Sequence, residues 1–339
     1  MTSAGRYAEL AAAVRSFKAE LIQPPQLERF LETGSLAEIV SAITGGRITS
    51  VDAFDLNPVE SLLVQRSIEL AQRLASYAPQ DSRPLVKHFS RGFEYACVKE
   101  ILKASADQID PEEALRHIVP AGKFTADRCK DLIESHNPNR VIESIEDEAL
   151  RRFVAPKLTG ERGSFQAVSA IDQYYFMKMW GASNLPDPLD AQSAKGLIGE
   201  AIDHLNILLA LRARQMGLDA RTASEMMIPI NYGLGQAFNE LPDANNVQNL
   251  ERILEKTRYA SCLEVGTTID GGKMECELNR SHANACMNMF AGSPFNVGLA
   301  LAFLFLKNYE LRDLFSLVNA KANSLPAERV LESLILRTS

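Results

Sequence analysis

Hydrophobic residues recur at every third or fourth position over most of the chain, which is the period of an amphipathic α-helix. Segments with this spacing include "YAELAAAVRSFKAEL", "PPQLERFLETG", "SLAEIVSAITGG" and "PVESLLVQRSIELAQRLASYA". Proline opens and glycine closes some of them, as is usual for helices. Only two short glycine-flanked stretches, "GGRITSVDAF" and "EVGTTIDGG", favour β-structure. The pattern therefore predicts an all-α protein.

The helical pattern also repeats along the chain. "FEYACVKEILKA" superposes on "IDHLNILLALRA" so that Glu94 lies over Asp203. The same separation, without a gap, relates Val119-Pro120 to Ile228-Pro229. A third copy lies nearer the N-terminus, and a partial copy near the C-terminus places Glu310 at the acidic position. Units of roughly 100 residues bury their apolar faces poorly alone, so we expect neighbouring units to share a core.

The repeat predicts three similar helical bundles, at residues 1–90, 91–197 and 198–339. The third bundle includes a C-terminal half-repeat, in which "LPAERVLESLI" resembles the start of another block that is cut short. Three units and a remnant favour closure into a ring, in which the end of the chain packs beside its beginning. Residues at the junction would then be buried on most sides.

The apolar run from Val297 to Leu306 tests this interpretation, because it resembles the start of a membrane anchor. A membrane-spanning helix needs about 20 apolar residues, whereas this run stops at Lys307. We therefore predict a buried core helix here. The opening "MTSAGRYAELAAAVRSFKAEL" carries scattered charges and lacks the apolar core of a signal peptide, so we expect a cytosolic protein.

Composition narrows the classes of function. Hydrophobic residues make up 46% of the 339 residues, enough for a sizeable core. The net charge of -7 comes from interspersed acids and bases, which does not resemble the basic surface of a nucleic-acid-binding protein. The 5 cysteines are an odd number without a CxxC motif, and we expect buried or unreactive thiols rather than disulfides or a zinc ribbon.

The sequence contains only weak matches to catalytic, nucleotide-binding or metal-binding motifs. "GTTIDGGKM" resembles a phosphate-binding loop, but Gly272 stands where the motif requires lysine. No two histidines have the spacing of a zinc-binding helix. We therefore predict no catalytic residue, no cofactor and no metal, and a monomer that does not bind ATP.

Two sets of residues allow alternative interpretations. The recurring acids Glu94, Asp203 and Glu310 are favoured as helix-start acids or as partners of a nearby base such as Arg212; the alternatives are contact with another subunit or a carboxylate cluster. "GSFQAVSAIDQYYFMKMWGASN" concentrates aromatic residues and methionines, as either a core segment or a docking face does. Trp180 is the candidate docking residue within it.

Several of these segments together resemble a known family. "AIDHLNILLALRARQMG", "IPINYGLGQAF" and the long C-terminal stretch from "ECELNRSHANACMNMF" to "RVLESLI" are similar to the C subunit of V/A-type ATPases, the counterpart of the d subunit of eukaryotic V-ATPases. The positions that match the family pattern are Glu94, Asp203, Asn206, Arg212, Lys307, Glu310 and Pro326. Arg6 departs from it, since an acid would be expected there.

The resemblance implies an all-helical, funnel-shaped subunit with pseudo-threefold symmetry. It would sit on the cytoplasmic face of the proteolipid ring as a monomer within the complex, receive the central shaft and perform no chemistry itself. A helical-repeat adaptor that binds peptides and a helical enzyme with a carboxylate site are the alternatives from other classes.

Overall fold

The computed structural model describes residues 3–160, 163–244, 246–263 and 271–337. In these ranges the regular structure is helical, without a β-strand, which confirms the all-α prediction. The α-helices are α1 (Ser3–Lys18), α2 (Pro24–Thr33), α3 (Leu36–Thr44), α4 (Asn57–Tyr77), α5 (Arg83–Phe89), α6 (Arg91–Ala106), α7 (Pro111–Leu115), α8 (Ala126–Glu134), α9 (Pro138–Glu143), α10 (Glu148–Val154), α11 (Gly163–Ala182), α12 (Pro188–Gln215), α13 (Ala220–Met226), α14 (Ala237–Glu240), α15 (Val247–Leu254), α16 (Gly271–Asn288), α17 (Val297–Ala322) and α18 (Ala327–Ser333).

The first four helices follow the predicted amphipathic segments closely. Ser35 and Glu38 cap the start of α3. The Ser35 hydroxyl accepts the backbone N–H of Glu38, and the Glu38 carboxylate accepts the backbone N–H of Ser35. Gly45 explains its end, since it adopts the left-handed conformation with φ 64°.

The β-prediction for "GGRITSVDAF" is wrong. Gly45 caps a helix, and the following residues form a turn in which the Asp52 carboxylate accepts the backbone N–H of Phe54 at 2.9 Å. Only an isolated β-bridge between Asp52 and Asp55 remains. The other β-favouring stretch, "EVGTTIDGG", lies outside the described residues up to position 270, and its last two glycines begin α16.

The chain divides into two compact units, of which unit 1 comprises Met1–Ala19, Tyr77–Leu85 and Phe176–Tyr309. Within it α12 packs against α16, and the first half of α17 is buried at every position from Val297 to Leu306. The ring centroids of Phe17 in α1 and Phe303 in α17 lie 6.4 Å apart. The predicted core helix is therefore confirmed, as is its contact with the first helix.

Asp190 fixes this arrangement in unit 1. Its buried carboxylate accepts the Tyr7 hydroxyl at 2.7 Å and the backbone N–H of Val297 at 3.0 Å. The starts of α1, α12 and α17 thus meet at one side chain. Asp187 caps the same end of α12 by accepting the N–H groups of Leu189 and Asp190.

Unit 2 comprises Glu20–Ser76, Val86–Tyr175 and Glu310–Ser339. In its core α6 packs against α8 and α9, and α18 packs against α2. The Asp313 carboxylate, on the second half of α17, accepts the backbone N–H groups of Ile335 at 2.8 Å and Leu336 at 2.7 Å. The C-terminal stretch of the chain is therefore held to the N-terminal part of this unit through α17 and α2.

Among the described residues, no helix has both the length and the apolar character needed to cross a membrane. The division into three repeats at 1–90, 91–197 and 198–339 stays a prediction.

Candidate functional site

Asp203 is a buried acid of unit 1, 0% exposed in the middle of α12. Its carboxylate accepts the backbone N–H groups of Tyr232 at 3.2 Å and Gly233 at 2.6 Å, and the Tyr259 hydroxyl at 2.7 Å. Burial raises the pKa of Asp203, while these three hydrogen bonds act in the opposite direction. Asp203 therefore holds a loop against the helix.

This geometry corrects the expectation that Asp203 is a helix-start acid or a partner of Arg212. α12 begins at Pro188, several turns earlier. Arg212 is exposed and pairs with Glu275 at 3.1 Å. The loop amides bind Asp203 because buried N–H groups need an acceptor when the chain leaves regular structure.

Asn206 lies one turn further along α12 and holds the other end of the same loop. Its buried amide donates to the Ile228 carbonyl at 3.0 Å and accepts the Ile228 backbone N–H at 2.8 Å. The loop from Ile228 to Gly233 is thus fixed at both ends by two side chains of one helix.

The other recurring acids also contact loops, both within unit 2. The Glu310 carboxylate, 1% exposed, accepts the backbone N–H of Ile22 at 2.6 Å. Glu94, in the first turn of α6, pairs with Arg91 at 2.9 Å and lies beside Gly122, where an added Cβ would be 3.3 Å from its Cδ. The three loops lead into the helices α2, α8 and α14.

The loop fixed by Asp203 presents Tyr232 at the surface, where 40% of the residue is exposed. Its ring lies over Gly199 of α12 so closely that a Cβ at Gly199 would come 2.3 Å from the Tyr232 Cγ. The Trp180 and Tyr232 rings are 6.3 Å apart and nearly perpendicular, at 70°. The absent side chain at Gly199 therefore makes room for an aromatic pair.

Two cations flank this aromatic pair. Lys195 Nζ lies 5.7 Å from the Trp180 ring centroid, and Arg258 Cζ lies 5.7 Å from that of Tyr232. Arg258 also pairs at 3.1 Å with Glu200, whose side chain is 8% exposed. We call Trp180, Lys195, Tyr232 and Arg258 the Tyr232 face; it is aromatic and carries two cations above one buried carboxylate.

Two buried histidines lie behind the Tyr232 face in unit 1. The His282 ring pairs with the Tyr309 hydroxyl at 2.7 Å and with the Leu197 carbonyl at 3.0 Å. Burial lowers the pKa of His282 to about 4 and lowers the pKa of His204 well below its ordinary value. Both rings are therefore neutral at pH 7, and the His282 ring links α16 to α12 and α17 through these two contacts.

The remaining predicted positions lie apart from Asp203. Lys307 is half-buried on α17, and Pro326 directly precedes α18 as predicted for the start of the final helix. Trp180 is half-buried near the end of α11, where Met179 beside it is fully buried. The aromatic segment thus contains both core and surface positions.

Three residues of this region, Tyr232, Tyr259 and Gly199, were not predicted from the sequence. A usable signal was present, because two glycines interrupt the strong helical pattern of α12 and a glycine inside a helix often marks a close approach of another chain segment. Within the described residues, no group of three or more His, Cys, Asp or Glu side chains is arranged to hold a metal ion.

One known family matches nearly the whole chain. The model of the ATP synthase (C/AC39) subunit family matches residues 10–333. The C subunit of the A-type ATP synthase from Methanosphaera stadtmanae is 24% identical over 334 residues, covering 96% of this chain and 86% of its own. The protein of the same name in Methanocaldococcus jannaschii is 22% identical over 344 residues, covering 97% and 86%. The match confirms the resemblance stated from the sequence.

Proposed function

The chain belongs to the ATP synthase (C/AC39) subunit family, and on that premise we propose that it is the central-stalk subunit of a rotary V/A-type ATPase. It sits on the cytoplasmic face of the proteolipid ring and connects this ring to the central shaft. It has no active site of its own. Its task is to couple proton or sodium-ion translocation to ATP synthesis or hydrolysis.

The observation that carries the proposal is the repeated contact between an acid on a long helix and a loop. Asp203, Glu94 and Glu310 occupy equivalent positions in the sequence repeat. Asp203 and Glu310 accept the backbone N–H of a loop that leads into a helix, and Glu94 lies beside Gly122 in a third such loop. No acid stands at Arg6, so the first loop receives its acid from the last long helix. This supports closure of three repeats.

Torque transmission needs a part that does not bend under load. Densely packed helical cores are stiff, and here buried carboxylates also fix the loops that join the helices. A closed set of repeats would spread the load of a rotating shaft over several helices. The packing is therefore suited to a coupling element.

We assign the Tyr232 face as the docking surface for the end of the shaft. Aromatic and arginine side chains are enriched at protein interfaces, and the Trp180 and Tyr232 rings pack against each other edge to face. Lys195 and Arg258 together outweigh the charge of Glu200. The face therefore fits a shaft segment that combines acidic and aromatic side chains.

Affinity purification of a tagged chain from detergent-solubilised membranes tests the proposal. Nucleotide-binding ATPase subunits, the shaft subunit and the proteolipid should co-elute with the chain. Elution with other partners and without any of these subunits would favour a peptide-binding adaptor instead.

A second experiment separates the docking surface from the assignment to the complex. Trp180→Ala and Tyr232→Ala should reduce retention of the shaft subunit, whereas Leu189→Ala, at an exposed position of the same unit outside the face, should not. Equal retention by all three variants would exclude the Tyr232 face while leaving the assignment to the complex intact.

A further inference from the structure

Two cysteines meet in the core of unit 2. Cys97 lies on α6 and Cys129 on α8, and their Sγ atoms are 3.8 Å apart. The residues are 3% and 0% exposed and belong to one hydrophobic cluster. The sequence predicts buried or unreactive thiols, because the number of cysteines is odd and no CxxC motif is present.

The geometry is close to that of a disulfide. An S–S bond is about 2.05 Å long. The two Sγ atoms therefore need to move closer together by less than that length. The two helices already pack against each other. Rotation of the two side chains toward each other would shorten the distance between the Sγ atoms.

The pair also differs from two isolated buried thiols in its proton chemistry. A hydrogen bond joins the two thiols, and the Cys129 thiol also donates to the Phe124 carbonyl at 3.7 Å. The hydrogen bond to Cys97 lowers the pKa of Cys129, although burial alone would raise it, and the neighbouring Arg128 charge acts in the same direction. The hydrogen bond and burial together raise the pKa of Cys97. Cys129 is therefore the thiol of the pair that ionises more readily.

We propose that Cys97 and Cys129 are a modification site, at which a hydroperoxide converts the two thiols into a reversible intramolecular disulfide between α6 and α8. The proposal rests on the sulfur geometry of unit 2 and does not depend on the function proposed above.

The reaction balances with hydrogen peroxide as the oxidant. The Cys129 thiolate attacks one peroxide oxygen, the O–O bond breaks, and the departing hydroxide takes up a proton, which leaves a sulfenic acid and water. The Cys97 sulfur, losing its proton, then attacks the Cys129 sulfur; the S–S bond forms, the S–O bond breaks and a second water leaves. The two sulfurs supply the two electrons that reduce the peroxide.

Burial slows the access of an oxidant to the two sulfurs but does not prevent it. A small peroxide can reach Cys129 during local opening of α8, a helix of 9 residues. A bulky disulfide reagent needs a larger opening. The pair should therefore react with peroxide more slowly than an exposed thiol but should stop at the disulfide, because the second sulfur intercepts the sulfenic acid.

The test uses the purified, folded full chain treated with increasing amounts of hydrogen peroxide. Free thiols are then alkylated, and peptide mass spectrometry identifies any cross-link. We expect a peptide that joins Cys97 to Cys129, loss of alkylation at both positions, and return of both thiols after treatment with dithiothreitol. Cys262→Ala, which removes a buried cysteine of unit 1, should leave this cross-link unchanged.

Cys97→Ser provides a second measurement, in which Cys129 has lost its resolving partner. Peroxide should then carry Cys129 on to the irreversible sulfinic acid. The wild-type experiment does not depend on the folding of this variant. If the folded wild-type chain keeps both thiols reduced while the urea-unfolded chain cross-links, or if Cys97 and Cys129 oxidise separately or with other cysteines, the proposal is overturned.

Discussion

The Asp203 carboxylate accepts the backbone N–H of Gly233 at 2.6 Å, although 30 positions separate the two residues in the chain. The bond closes a loop against the middle of α12 and brings Tyr232 to the surface beside Trp180. A family-motif acid without an evident role in the sequence thus sets the position of the surface that we propose as the docking site.

Replacing Asp203 by alanine should destabilise unit 1. The change removes the acceptor of two backbone N–H groups and of the Tyr259 hydroxyl, and an unsatisfied buried donor costs about 1–3 kcal/mol. Because the loop amides can regain some hydration, we expect a loss of about 3 kcal/mol in urea unfolding. Glu148→Ala, which breaks an exposed ion pair with Arg152, should cost under about 1 kcal/mol. Similar losses in the free energy of unfolding for both variants would show that the Asp203 hydrogen bonds do not stabilise the loop.

Gly199 and Gly196 provide a matched pair of positions that test how closely Tyr232 packs on α12. A Cβ at Gly199 would overlap Tyr232, whereas one at Gly196 would lie 3.6 Å from the Tyr232 hydroxyl oxygen, at ordinary contact distance. Gly196→Ala should therefore stabilise the protein by up to about 1 kcal/mol through helix propensity. Gly199→Ala should destabilise it by about 1–2 kcal/mol despite the same propensity gain.

The Tyr232→Gly background tests the cause of that difference, because alanine at position 232 would keep a Cβ that lies 2.8 Å from a Cβ added at Gly199. With the whole side chain removed, Gly199→Ala should become as favourable as Gly196→Ala, which thermal melts of the double variants can measure. A persistent penalty at Gly199 would show that something other than Tyr232 limits the space there.

The helices could be predicted because their apolar positions are periodic, the buried run from Val297 to Leu306 because it is apolar throughout but too short to span a membrane, and the family because several sequence segments match it. The sequence predicted Asp203 and Glu310 as recurring positions but assigned them a wrong local role. Helix-start acids are a local feature, whereas their true partners, Gly233 and Ile22, depend on how distant segments pack. The Tyr232 face was missed for the same reason, apart from Trp180.

Leu301→Asp tests the core position of α17. Leu301 is 0% exposed, so the variant places a carboxylate in an apolar core without a partner, at a cost of about 4 kcal/mol or more. Ser316→Asp, at an exposed position of the same helix, should leave the melting temperature nearly unchanged. An unaltered melting temperature for Leu301→Asp would mean that this helix is exposed and that the buried assignment is wrong.

Acid should destabilise unit 1 through its buried histidines. The pKa of His282 is lowered from 6.5 to about 4 in the folded protein, so between these values the unfolded state binds more protons than the folded state. The contribution of His282 to the free energy of unfolding is complete above pH 6.5, and it falls by about 3 kcal/mol as the pH drops to 4. The lowered pKa of His204 acts in the same direction.

Urea unfolding at a series of pH values measures this dependence. His282→Gln should reduce its slope below pH 6.5, while His117→Gln, at an exposed histidine of unit 2, should keep the wild-type slope. Equal slopes for His282→Gln and the wild type would contradict the role of the buried ring.

In the proposed role, this chain couples ATP turnover to ion movement. The decisive measurement compares ATP hydrolysis with ATP-driven ion uptake, of protons or sodium ions, in vesicles that contain the rotary complex with and without the chain. We predict that the complex without it still hydrolyses ATP but no longer accumulates ions, and that adding back the purified chain restores uptake. Ion uptake that persists in proportion to ATP hydrolysis in the complete absence of the chain would contradict the account.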